Sequence, residues 1–122
     1  MAKGKEVGEF SFKFTTMTVT PGPAGSTLIA CNYESPVSGI GTVCGTATFV
    51  AGKSGTYSSC ALGFMDNGQQ FSSAGSGSHE SSGKHRWHTS GVIERSDSES
   101  AVVEGEIDLA GRSWNGKVFE NT

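Results

Sequence analysis

The chain has 122 residues, a net charge of −3, 18 glycines and three prolines, enough for one domain with a modest core. So mild a charge offers no basic field for nucleic acid, and no apolar run approaches the roughly 20 residues of a membrane-spanning helix. The opening Met-Ala-Lys-Gly-Lys-Glu lacks the apolar stretch of a secretory signal, which predicts a cytoplasmic protein.

A flexible tail is expected over residues 1–8, with the whole of 1–122 forming a single domain. Glu9 to Thr20 reads as the first strand, with Phe10, Phe12 and Phe14 alternating on one face. Pro21 to Gly25 forces a loop, and Ser26 to Glu34 follows as the second strand. Its facing is ambiguous. Either Asn32 and Glu34 point inward with Leu28 and Ala30, which marginally favour this choice, or Cys31 and Tyr33 do.

Ile40 to Val50 and Thr56 to Met65 are the third and fourth strands. Asn67-Gly68 suits a two-residue type I′ hairpin. That turn would set Phe64 against Phe71, Leu62 against Ser73 and Cys60 against Gly75, with Tyr57 on the outer face. The fifth strand runs from Gln69 to about Ser76. Gly77 to Gly83, rich in serine and carrying His79, reads as a loop or a weakly packed strand end.

The last third is the most regular. Trp87, Thr89, Gly91 and Ile93 alternate with Lys84, Arg86, His88 and Ser90. Val103, Gly105, Ile107 and Leu109 alternate with Val102, Glu104, Glu106 and Asp108. Folding these runs together through Arg95–Ser98 aligns two dry faces and lays a basic stripe beside an acidic one. A tight loop at Ala110-Gly111 then puts Ile107 opposite Trp114, Gly105 opposite Gly116 and Val103 opposite Val118. Glu104 meets Lys117 and Glu106 meets Asn115 on the other face.

Eight strands with short turns and no crossover helices predict an all-β fold. The expected form is a single antiparallel up-and-down barrel of about eight strands with an internal apolar cavity; a two-sheet sandwich is the alternative. The expected interior includes Phe12, Phe14, Phe49, Phe64, Phe71, Trp87, Thr89 and Trp114, interleaved with Gly45, Ser58, Ser73, Gly75, Gly91, Gly105 and Gly116. Large rings facing glycines and serines predict space for one small hydrophobic molecule; tight coiling around a filled core is the alternative.

With eight antiparallel strands around an aromatic interior from Glu9 to Glu120, the chain resembles the calycin-type barrels, especially the small allene oxide cyclase-like ones. The resemblance is architectural. The Gly-x-Trp opening of many lipocalins and their C-terminal helix are absent. The resemblance implies an apolar ligand, isomerisation or cyclisation without a cofactor, and a dimer or trimer.

His85 shares a strand parity with Trp87, which places it inside near one mouth as an acid/base candidate. Glu34 and Asn32 are its expected partners if their side of the second strand faces in; otherwise Tyr33 orients a ligand carbonyl. His88 belongs to the outer charged face, and His79 to a solvated loop. Cys31, Cys44 and Cys60 have no zinc-type spacing and read as reduced thiols, Cys60 buried and inert. The expected function is a cofactor-free isomerase, cyclase or lyase on a small hydrophobic molecule, without nucleic-acid or membrane partners. A carrier of such a ligand and a structural module are the alternatives.

Overall fold

Apolar residues alternate with polar ones most clearly in residues 10–14 and in the last third of the chain, and each of these runs forms a strand with one inward face. The structure, a computed structural model, describes residues 3–37 and 41–122. Its strands are β1 (Lys3–Pro21), β2 (Thr27–Val37), β3 (Gly41–Val50), β4 (Ser54–Met65), β5 (Gln70–Gly83), β6 (Arg86–Arg95), β7 (Ala101–Asp108) and β8 (Ser113–Asn121). Each pairs antiparallel with the next, and β8 pairs back onto β1, closing an up-and-down barrel rather than a sandwich. Closure leaves no open sheet edge. Ile40, expected to open the third strand, lies outside the described residues.

The register of β6, β7 and β8 is the one the alternation demands. Trp87 faces Ile107, Ile107 faces Trp114, Gly105 faces Gly116 and Val103 faces Val118. The outer stripes pair as well, Arg86 with Asp108 at 3.5 Å and His88 with Glu106 at 3.3 Å. Lys117 stands opposite Glu104 in the ladder but reaches across to Glu6 at 3.3 Å, while Lys3 takes Glu104 at 3.2 Å. These two pairs tie β1 to the meander, so residues 3–8 are strand, not a loose tail.

The β4–β5 hairpin departs from expectation by one residue. Gly63 stands opposite Phe71, and Phe64 opposite Gln70. The turn has three residues rather than two: Gly68 N–H donates to Met65 O, Met65 N–H to Gln69 O, and Gly68 alone has positive φ, at 89°. A type I turn closed by a left-handed glycine inserts one more residue than a type I′ turn. A one-residue slip turns every side chain on the strand to the other face. Leu62 and Phe64 are therefore 46% and 43% exposed, and Cys60 and Ser58 also lie outside. Tyr57 goes in instead, 5% exposed.

Gly77 to Gly83, read as a loop or a weakly packed strand end, is the end of β5, paired with β4 as far as Glu80 and with β6 as far as Gly83. Its first glycine makes room for a ring. A Cβ on Gly77 would lie 2.7 Å from Tyr57 Cε2, and one on Gly91 would collide with the Tyr57 hydroxyl. Strand glycines here mark close approach of aromatic rings.

Candidate functional site

The barrel interior has two halves. In one, Phe49, Ile107, Thr89 and Cys31 are fully buried, and Phe14, Ala47, His79 and Trp87 pack with them. Phe49 lies 5.5 Å from Trp87 and 5.7 Å from Trp114, ring centre to ring centre. His79 stacks on Trp87 at 3.9 Å. This half is a plug.

The other half is hollow. A cavity of about 770 Å³ opens at the end that carries the β6–β7 loop and the described ends of the chain. Phe10, Phe12, Tyr33, Tyr57, Phe71 and Trp114 supply its aromatic wall, and Ser59 and Ser73 add hydroxyls. The volume is that of pockets holding small organic ligands. Trp114 is the floor between plug and cavity. Its ring meets Tyr33 at 6.2 Å and Tyr57 at 5.7 Å, both edge to face. Its Nε1–H donates to Thr89 Oγ1 at 3.1 Å, which satisfies a buried donor and fixes the indole.

Tyr33 and Tyr57 are 6% and 5% exposed, and their hydroxyls, which make no hydrogen bond to the described residues, are not sealed from the cavity that both residues line. Burial pushes each phenol up to about 12. Both remain protonated near neutrality and can donate or accept one bond to a guest. Ring size explains their inward facing. Tyr33 stands opposite Gly45, where a Cβ would come within 2.8 Å of its hydroxyl, so only glycine leaves the phenol room.

At the mouth, the Arg95 guanidinium lies 4.0 Å over the Phe71 ring. It donates from Nε and a terminal nitrogen to Asp97 at 2.9 and 2.8 Å. That hydrogen-bonded guanidinium holds the Asp97 carboxyl below its usual range. Stacking and a forked pair together lock the arginine in place.

The expected site residues divide three ways. Tyr33, Phe12, Phe71 and Trp114 line the cavity. Phe14, Phe49, Trp87 and Thr89 are inside but belong to the plug or its boundary. Phe64, Asn32, Glu34 and His85 are outside. His85 falls in the β5–β6 turn at φ 57°, which takes it out of the pleat that the parity with Trp87 assumed. Cys31 and Tyr33, not Asn32 and Glu34, face inward. Asn32 is held on the outer face by Thr16 and Thr46, with both bonds at 2.6 Å.

Tyr57, His79 and Arg95 were not anticipated as interior or mouth residues. Parity with Phe71 through Ser73, Gly75 and Gly77 was the available signal for His79. Its Nε2 bonds to Val50 O at 2.6 Å, so Nε2 carries the hydrogen, and Nδ1 is buried without a partner. Burial lowers its pKa and favours the neutral ring. Among the described residues, no group of three or more His, Cys, Asp or Glu side chains is arranged to hold a metal ion. Comparison with protein-family models, curated proteins and solved structures finds no match to the chain.

Proposed function

We propose that this protein binds one small hydrophobic molecule inside the barrel and carries it without chemical change. The observation behind this reading is an aromatic cavity of about 770 Å³, open at one end and lined by two tyrosines whose hydroxyls make no hydrogen bond to the described residues. Both residues line the open cavity, where a guest bearing one oxygen or nitrogen can replace water at their hydroxyls. A calycin-type kinship would bring the same ligand class. Isomerase, cyclase or lyase activity fits less well, because His85, Glu34 and Asn32, the expected proton-transfer groups, lie outside the cavity.

The test is a titration with the uncharged fluorescent probe N-phenylnaphthylamine. Saturable binding at one site per chain is expected. Ser73→Trp, which places an indole in the cavity from a strand position suited to aromatics, abolishes it with the circular dichroism spectrum unchanged. Equal binding by the folded Ser73→Trp variant would overturn the reading.

A further inference from the structure

The hydroxyl groups of the inner cavity wall are gathered on one side. Tyr33 of β2, Tyr57 and Ser59 of β4 and Ser73 of β5 line it there, among Val43, Ala61 and Phe71. The facing arc of β6, β7, β8 and β1 presents Ile93, Val103, Val118, Phe10, Phe12 and Trp114. That arc offers a guest no free polar side-chain group, since the Trp114 N–H is taken by Thr89. The ladder sets the hydroxyls close together. Tyr33, Gly45, Ala61 and Ser73 stand in one row across β2 to β5, and Ser59 stands in the next, opposite Gly75. Glycine leaves the oxygens room. A Cβ would lie 2.8 Å from the Tyr33 hydroxyl at Gly45 and 2.6 Å from Ser59 Oγ at Gly75, and at Gly91 it would collide with the Tyr57 hydroxyl.

None of these four hydroxyls bonds to the described residues, and all four residues face the same open space, so water or a guest satisfies them. A hydrocarbon edge against this band would strip its water and return no bond. Oxygens set along one edge of a rigid guest meet several of the hydroxyls at once, for the cost of ordering a single molecule. The band itself carries no ionised group. The nearest cation in the ladder, Arg95 opposite Ser73, is held by the Asp97 carboxylate and the Phe71 ring. An anion among the hydroxyls would therefore be desolvated without a free counter-charge.

Building on the carrier reading, we infer that the ligand is an uncharged aromatic compound with two or more oxygens along one edge. That edge lies on the hydroxyls of Tyr33, Tyr57, Ser59 and Ser73, and the bare edge lies on the apolar arc of β6, β7, β8 and β1.

The experiment displaces N-phenylnaphthylamine, in degassed buffer, with tert-butylcatechol, tert-butylhydroquinone and tert-butylbenzoate. The first two are isomers: the catechol carries both oxygens on one edge, the hydroquinone at opposite ends of the ring. The catechol is expected to displace the probe at least about fivefold better than the hydroquinone, the gain of about one further net hydrogen bond. Ser59→Ala combined with Ser73→Ala should bring the isomers to equal displacement with the circular dichroism spectrum unchanged. Ser58→Ala, on the outer face of β4, should keep the preference. Equal displacement by the isomers in the unaltered protein, or a preference that survives in the folded double variant, would overturn the inference while leaving the carrier reading intact. Strongest displacement by tert-butylbenzoate would do the same and place an anion at Arg95. Failure of the probe itself to bind would overturn the reading beneath both.

Discussion

At His79, a buried imidazole bonds through one nitrogen to the Val50 carbonyl and leaves the other without a partner. Its ring lies flat on Trp87 at 3.9 Å. Protonation would place a charge in the plug. An unfolded histidine takes its proton near pH 6.5, and folded His79 resists it, because burial lowers its pKa. The sign follows from linkage. A lowered histidine pKa means that the unfolded chain binds the proton more readily, so the contribution is full above about pH 6.5 and is lost as pH falls toward the folded pKa. Unfolding free energy should therefore fall as pH drops below about 6.5, by up to about 1.4 kcal/mol per pH unit from this group, and the melting temperature should fall with it. His79→Phe keeps the stack, loses about 1 kcal/mol with the Val50 bond and flattens that slope. An unchanged slope in His79→Phe would show that another group titrates.

Among the elements, legibility followed alternation and failed at turns. The β6–β7–β8 meander could be read because both faces carry information: a one-residue slip would bury Glu104 and Glu106. The outer face of β4 carries Leu62 and Phe64 and its inner face Tyr57 and Gly63, so apolar content alone pointed the wrong way. The turn decided the facing. Asn-Gly is compatible with two loop lengths, and the observed one needs positive φ only at Gly68. Gly68→Ala should cost about 1 kcal/mol by urea unfolding, since nothing crowds the site and only the backbone conformation is penalised. Asn67→Ala should cost less, about 0.5 kcal/mol, because it loses only exposed bonds, one from the Gln69 backbone N–H and a long one to the Gln69 side chain. A larger loss at Asn67 than at Gly68 would favour the two-residue turn and the opposite facing of β4. The site was half legible for the same reason. Phe12, Phe71 and Trp114 lie on strands whose parity was clear, whereas Tyr57 and His85 depended on turns beside them.

On the scale of the whole molecule, closure of eight strands joins a solid half to a hollow one. The plug built from Phe49, Ile107, Trp87 and His79 gives the barrel a core of its own, so the other half can stay open. Leu62 and Phe64 form a rival apolar surface on the outside, and a hydrophobic probe has both places to go. The most direct test is to record nuclear Overhauser contacts between bound N-phenylnaphthylamine and the protein. Contacts to the ring protons of Trp114, Tyr33 and Tyr57 are predicted. Contacts confined to Leu62 and Phe64, with the cavity rings untouched, would contradict a ligand inside the barrel.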